Sequence, residues 1–438
     1  MNRRAFLKMA ALSALGAAAS SRAGAASVEG IARRVRSYLP LLPPGTDTMP
    51  EIKHFVVVVM ENHSFDNVLG TLKRPGVDGL TFAGGAATNS NPDEHGTPVT
   101  AFRLPTLCQD GFHVSQAWDA SHRQWNGGAM DGFVVTSGRE AMGYYTEKDL
   151  PVTHALGKLF PVCDRWFCST MCQTFPNRMF LLAATSQGAT TTDVHERATS
   201  KAPATGTIFR RLDAAGISWK NYLVDLGDSM LWGPNAFAAQ QGHVFPITSF
   251  YADAATGTLP SFSIVSPEGL GIASEENPQN VSLGEAFVWS VATAVMRSPA
   301  WGSSALLITY DEHGGYYDHV PPVPVPNPDG IHPNVGDDHG DDFTWSGFRV
   351  PTILVSPWAK ANHVSHTVFD HTSMLAFLER KWSLRPLTKR DAVANDMFDL
   401  FDLSRRHFAK PPQLPKPNAV PATLDCLKHG QIGYDPPA

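Results

Sequence analysis

The sequence predicts an α/β fold, a doubly wound, three-layer α/β/α sandwich around a mostly parallel central sheet. Three observations carry that expectation. Short, uninterrupted runs of β-branched and apolar residues lie far apart along the chain, as strands buried on both faces do. Helical patterns fall between them, and this alternation over several hundred residues builds a parallel sheet covered by helices. Glycine and proline supply 36 and 34 of the 438 residues, so much of the mass lies in loops, where sites on rigid scaffolds are usually made. That loop content argues against a helical bundle or coiled coil.

In chain order, the strand runs are His54–Met60 (HFVVVVM), Ile217–Val224, Phe262–Val265, Ala305–Tyr310 (ALLITY) and Thr352–Val355. Helical patterns cover Arg178–Ala184, Gly284–Met296 and Thr372–Trp382, the last with Asp370 or Thr372 as its N-cap. The folded domain is expected over residues 52–384, after a flexible lead at 26–51 that contains Pro43-Pro44-Gly45. A proline-rich segment at 385–438 is expected to wrap the surface. Cys163, Cys168 and Cys172 are close enough in sequence for a thiolate metal cluster, but the segment reads better as a core strand and turn. Five cysteines leave at least one unpaired within the chain.

The N-terminus reads as an export signal. Arg3-Arg4 precedes a short apolar stretch, Met9 to Ala19, and the small-residue sequence Ala23-Gly24-Ala25, the pattern of a cleaved twin-arginine (Tat) signal over residues 1–25. The apolar stretch falls short of the ~18 to 20 residues that span a bilayer, so no transmembrane segment is expected in the mature chain. A periplasmic or secreted location follows. The full chain carries a formal charge of −6, and removing residues 1–25 takes away Arg3, Arg4, Lys8 and Arg22 and no acid, which leaves −10. A chain this acidic, with no Lys/Arg run, is not expected to bind nucleic acid. Any anionic substrate must be captured locally, by a metal or a helix dipole.

Two strand runs end in hard oxygen ligands: HFVVVVM runs into Glu61-Asn62-His63-Ser64, and ALLITY into Asp311-Glu312-His313-Gly314-Gly315. Open α/β sheets bind ligands outside the carboxyl ends of their strands. If these two strands are parallel neighbours, Glu61, Asn62, Asp311 and Glu312 converge on one edge and offer a divalent cation an oxygen-rich nest. Without a metal, three carboxylates so close would repel and one would stay protonated. The bland alternative is that these acids only cap the helices that follow.

A third segment, Cys172-Gln173-Thr174-Phe175-Pro176-Asn177-Arg178, precedes the apolar helical run MFLLAAT. Proline suits a helix's first turn, and a helix N-terminus offers free N–H groups and a positive dipole to an anion. Thr174 is then either a nucleophilic hydroxyl facing a bound phosphate or simply the N-cap, with Arg178 a surface cation. Seven of the 17 histidines (His313, His319, His332, His339, His363, His366, His371) fall within the stretch from Asp311 to His371, a density that suggests a phosphate-facing or metal-facing pocket. A separate group, His113, Trp118, His122 and Trp125, sets imidazole beside indole in a glycine-containing loop. That surface suits the polar end of a substrate or a proton donor to a leaving group, while the two tryptophans serve packing equally well.

Six motifs in order, HFVVVVMENHSFDNVLG, HRQWNGGAMDGFV, TFPNR, ITYDEHGGYYDHV, FRVPTILVSPWAK and VFDHTSMLAFLE, resemble the bacterial phosphoesterase family of nonspecific phospholipases C and their acid-phosphatase relatives, in the alkaline-phosphatase superfamily. The resemblance runs from Lys53 to about Glu379. It implies an alkaline-phosphatase-like fold and a metal-dependent phosphoric-ester hydrolase that works through a phosphorylated hydroxyl. It also implies Glu61, Asn62, Thr174, Asp311 and Glu312 as ligands of a divalent metal, Thr174 as nucleophile, and His122 as a contact to the substrate phosphate. The implied substrate is a phosphate ester, including phospholipid. Relatives often carry Glu-His-Pro where this chain reads Glu276-Asn277-Pro278, so a phosphate-binding histidine expected there is missing. That departure keeps open a catalytically weak envelope protein that binds phosphate esters or lipid headgroups on the same fold. The chain stops soon after the catalytic region, like the shorter acid-phosphatase branch.

Overall fold

The computed structural model describes residues 42–109, 111–193, 201–224, 228, 231–267, 273–335, 340–419 and 426. The export signal and the first part of the lead lie outside them. One sheet of eight strands organises the fold: β1 (His54–Met60), β2 (Val162–Cys163), β3 (Trp219–Leu223), β4 (Val244–Pro246), β5 (Phe262–Ser266), β6 (Ser304–Tyr310), β7 (Ile353–Val355) and β8 (Val364–Ser365). Their spatial order is β4-β3-β5-β1-β6-β7-β2-β8. β1 lies at the centre, parallel to β5 on one side and β6 on the other, with Met60 opposite Tyr310. β1 and β6 are buried along almost their whole length, which is why both read as continuous apolar runs.

The helices used below are α1 (Phe65–Leu69), α2 (Trp118–Trp125), α3 (Pro151–Leu159), α4 (Thr174–Ala183), α5 (Ile247–Thr256), α6 (Val281–Arg297) and α7 (His371–Lys381). They cover both faces of the sheet. Phe55 of β1 packs on Phe377 of α7, with ring centroids 4.8 Å apart, and α7 packs on α4. Ile308 and Tyr310 of β6 share a small void with Leu156 of α3 and Val288 of α6. Phe55 is in register with Ala305, and side chains alternate along a strand, so Ile308 and Tyr310 point to the face opposite Phe55.

The structure departs from expectation at several points. β7 runs antiparallel to both β6 and β2, although its composition suggested another parallel strand. A parallel return needs a crossover to the far end of the sheet, usually through a helix. Among the described residues between Tyr310 and Ile353 there is no helix, so the chain re-enters from the end it left. Apolar composition reports burial on both faces and says nothing about direction. α4 begins at Thr174, one turn before the expected Arg178. Asp370, and not Thr372, caps α7, in a capping box with Ser373. Residues 42–51, expected to be flexible, are fastened: Met49 is fully buried, Gly45 N donates to Trp382 O, and Lys381 Nζ reaches Asp47.

Of the described residues beyond Arg385, expected to wrap the surface, Leu387, Met397 and Leu400 instead join the core, and Arg390 is buried with Nε donating to Asp370 Oδ2. Further contacts fasten the segment to the domain. Trp301 Nε1 donates to Phe408 O, Asn418 Nδ2 to Lys148 O, and Cys426 forms a disulfide with Cys108. Cys163, Cys168 and Cys172 are buried thiols, in keeping with a core strand and turn.

Candidate active site

The register of β1 and β6 builds the site. Because Met60 pairs with Tyr310, the next residues, Glu61 and Asp311, leave the sheet side by side, and Asp311 N still donates to Met60 O. The acids do not cap helices: Ser64 is the N-cap of α1. Asp311 instead organises the two loops. Its Oδ1 accepts from Asn62 N (3.2 Å) and from Glu312 N (2.8 Å). Asn62 sits in the left-handed region (φ 65°), which asparagine tolerates better than most residues. Its carbonyl lies against Gly314 (φ +67°), where an added Cβ would fall 1.9 Å from Asn62 O. Only glycine fits that close approach.

Thr174 is the first residue of α4, and Gln173 occupies the cap position without a side-chain capping bond. The Thr174 hydroxyl donates to Asn62 Oδ1 (3.4 Å), so it faces the strand ends and does not cap its own helix. Asn177 shapes the turn before it: Oδ1 accepts from Ser169 N and Thr170 N, and Nδ2 donates to Thr170 O and Cys172 O. The expected ring of free helix N–H groups is smaller than the sequence suggested. Pro176 has none, Phe175 N donates to Thr192 Oγ1, and Asn177 N to Gln173 O. The dipole of α4 still points its positive end at the site.

Arg178, one helical turn beyond Thr174 and on the same face, is not a surface cation. It is fully buried and donates from Nε to Asp311 Oδ2 (3.0 Å), from Nη2 to Glu61 Oε1 (3.1 Å), and from Nη1 to Asp228 Oδ1 and Ser266 Oγ (3.1 Å each). The expected mutual repulsion of the acids is therefore partly met by a built-in guanidinium. One positive charge does not balance the group. Burial pushes the Asp311 carboxyl upward; the Arg178 charge relieves part of this, and the neighbouring Glu61 charge offsets some of that relief. Burial and then the Asp311 charge push Glu312 well above the usual carboxylate range. Glu276, which hydrogen-bonds Glu61, is raised by burial and by the charges of Glu61 and Asp311. Asp228, Ser266 and Glu276 come from segments far from Arg178 in sequence. The four-residue step from Thr174 was the one local signal that could have placed Arg178 here.

A site with more buried negative charge than Arg178 can neutralise fits a divalent cation. The donors of Glu61, Asn62, Thr174, Asp311 and Glu312 are all hard oxygens. Glu312 Oε1 is buried without a hydrogen-bond partner, which is how a ligand oxygen looks when no donor competes for it.

The histidine-rich stretch does not form one pocket. His313 contacts Glu312 (Nδ1 to Oε2, 3.3 Å) and Gln124, and His371 donates from Nε2 to Asp311 O (2.6 Å). His319, His332, His363 and His366 pair separately with Asp66 and Asp78, Asp342, Asp399, and Asp164. His339 lies outside the described residues. Sequence density placed them together, but they stand on the loop after β6, beside β8 and at the start of α7, and meet different acids. His122, on α2, is held between Trp118 O (Nδ1, 2.8 Å) and Asp341 Oδ2 (Nε2, 2.8 Å). Trp118 is buried with Cys172 and Phe180, so α2 rests against the turn that presents Thr174. Trp125 packs against Trp345 with the rings tilted and their centroids 4.8 Å apart.

A second charged cluster joins three of the sequence motifs. Asp66, Asp318 and His319 bring ligand-type atoms within 4.8 Å of one another, but the cluster carries its own cations. Arg349 is fully buried and bonds Asp66 and Asp318. Burial lowers the His319 pKa, but its hydrogen bond to Asp66 and the charges of Asp66 and Asp318 outweigh this and raise it from 6.5 to about 9. A group raised on folding contributes stability that is complete below its unfolded pKa and fades as pH rises through the folded value. The stability gap between wild type and His319→Gln should therefore shrink as pH rises from 6.5 to 9. Urea unfolding at several pH values checks this, and a gap that stays constant contradicts it.

A model described as the phosphoesterase family matches residues 52–385. The chain is 36% identical to Non-specific phospholipase C1 of Arabidopsis thaliana over 78% of its own length and 69% of that protein's. It is 30% identical to Phospholipase C A of Mycobacterium tuberculosis over 88% and 84%. A solved structure of a protein in the alkaline phosphatase superfamily from Vibrio parahaemolyticus is similar at a TM-score of 0.40 and 10% identity, over 86% of this chain and 79% of that one. The family match and the two phospholipase C relatives define the class: hydrolases acting on phosphoric esters. Within that class the match over residues 52–385 is specific, and the chain belongs to the phosphoesterase family.

Proposed function

We propose that the protein is an exported, metal-dependent phosphoric-ester hydrolase, of phospholipase C or acid phosphatase type, with Thr174 as nucleophile. The observation that carries this reading is the Thr174 hydroxyl aimed at Asn62 Oδ1, beside Glu61, Asp311 and Glu312. A divalent cation held by Glu61, Asn62, Thr174, Asp311 and Glu312 would polarise a phosphoryl oxygen and acidify the hydroxyl. Thr174 Oγ1 attacks phosphorus in line, and the new O–P bond forms as the bond to the leaving oxygen breaks. The α4 dipole favours the charge gathered at its N-terminus. His122 would contact the phosphoryl group or protonate the leaving oxygen through Nε2 once that nitrogen leaves Asp341 Oδ2. Water then cleaves the phosphothreonine and frees phosphate or a phosphorylated headgroup. Arg178 holds Glu61 and Asp311 in place throughout.

The two phospholipase C relatives support an ester of a lipid headgroup as substrate, at the outer side of the cytoplasmic membrane if Arg3-Arg4 directs export. Among the described residues no helix is long and apolar enough to cross a membrane. One observation favours the weaker, binding-protein reading: Asn277 turns its Nδ2 to Gln109 O (3.0 Å) and so presents no imidazole to a phosphate. A single panel separates the two. Purified protein, assayed for metal content, is given phosphatidylcholine vesicles, phosphatidylethanolamine vesicles and a chromogenic phosphomonoester, and an Arg3→Lys/Arg4→Lys precursor is fractionated. Turnover of at least one ester with metal bound, and retention of the precursor in the cytoplasm, are expected. Binding without turnover would establish the other reading, and normal export of the double-lysine precursor would remove the Tat assignment.

A further inference from the structure

The loop that carries Glu276 is held in place from outside the phosphoryl-transfer site. Glu61 N donates to Ser274 O (2.8 Å), which ties the start of this loop to the end of β1. The next residue, Glu275, is buried with φ +77°, a strained conformation for a non-glycine residue that persists only when its surroundings impose it. Gln109 is the main source of that imposition. Its side chain is fully buried, and one amide nitrogen spends both hydrogens on the loop, donating to Glu275 O (2.7 Å) and to Gln279 O (3.0 Å). Its Oε1 accepts from Tyr316 OH, and its own carbonyl accepts from Asn277 Nδ2.

The remaining contacts converge on the same residue. His63 Nε2 lies 3.1 Å from Glu275 O, the Tyr316 ring stacks on His63 at 4.9 Å, and Tyr310 OH donates to Glu275 Oε2 (2.6 Å). Gln109 is itself anchored. Its neighbour Cys108 pairs with Asn280 across a β-bridge and is joined to Cys426 by the disulfide. Between Glu275 and Gln279 stands Glu276, in contact with Glu61.

We propose that Gln109 is a positioning residue for phosphoryl transfer: by fixing both ends of the 275–279 loop it sets Glu276 against Glu61 and Asp311. This rests on the assignment of the site as phosphoesterase, and it adds a residue that touches neither the proposed metal ligands nor the nucleophile. A misplacement of about 1 Å in such a site is worth up to roughly a hundredfold in rate.

The test uses the full mature chain with its disulfide intact. Gln109→Leu, Glu276→Gln, the double variant and Tyr316→Phe are compared with wild type for kcat and KM on a chromogenic phosphomonoester and phosphatidylcholine vesicles. Hydrogen exchange across residues 274–281 is measured in parallel. The expected result is a kcat roughly tenfold lower or worse in Gln109→Leu, with KM nearly unchanged and faster exchange confined to that loop. The double variant should be no slower than the slower single, because both act through one group. Should Gln109→Leu fail to fold, Tyr316→Phe, which keeps the ring on His63, carries the test with the same loop-specific exchange and a smaller kcat loss. A folded Gln109→Leu with kcat within about twofold of wild type, rate losses that multiply in the double variant, or unchanged exchange overturns the proposal. If wild type turns over no ester, the phosphoesterase reading falls, and the exchange measurement still decides whether Gln109 clamps the loop.

Discussion

Thr174→Asn should fold normally and lose roughly a thousandfold or more in turnover. A threonine that merely started a helix would be replaceable by serine or asparagine for ~1 kcal/mol or less. Here the cap position belongs to Gln173, and the Thr174 hydroxyl bonds Asn62 Oδ1, so its loss costs the helix even less than a cap would. A nucleophile, by contrast, demands a hydroxyl oxygen that can bond to phosphorus. Thr174→Ser keeps that oxygen and should keep part of the activity, while the stability of both variants stays near wild type. Circular dichroism and thermal melts check the fold, and steady-state rates check the chemistry. A folded asparagine variant hydrolysing phosphoesters at near wild-type rate would move the nucleophile to another hydroxyl or to water.

Asp311→Asn carries the second large effect, and Glu61→Ala should behave alike. Asp311 Oδ1 fixes Asn62 N and Glu312 N, and Oδ2 holds Arg178 Nε. An amide can keep the Oδ1 contacts but turns an N–H toward a guanidinium that is already all donors, and it removes the charge a cation needs. The expected result is loss of bound divalent metal, a fall in turnover of roughly a hundredfold or more, and loss of the rise in Tm that added metal gives wild type. Elemental analysis, rates and melts with and without metal measure the three. Full metal stoichiometry with wild-type turnover in either variant would place the site elsewhere.

Much of this architecture was legible because it depends on local composition. β1 and β6 are apolar runs of the expected length, and the acids that follow them sit at the strand ends by covalent sequence alone. Their adjacency was a condition in the sequence and a hydrogen-bonded register in the structure. What stayed hidden depends on contacts between distant segments. Nothing near Asp228 or Glu276 in sequence announces that both meet the residues around Arg178, and nothing in Cys108 or Cys426 names the other as its partner. Arg178 itself was readable from its four-residue step after Thr174, but a positive charge in an acidic chain invites the reading of a solvated surface residue. The histidines misled for the opposite reason, since closeness along the chain was read as closeness in space.

The claim on which all of this turns is that Thr174 carries the phosphoryl group between two half-reactions. Acid quench of the mature enzyme during turnover of a phosphoester, followed by peptide mass spectrometry, reads it directly. Phosphate on the peptide containing Thr174 in wild type, and none in Thr174→Asn, is the predicted result. Phosphate trapped on a different residue, with Thr174 unmodified during turnover, would contradict it.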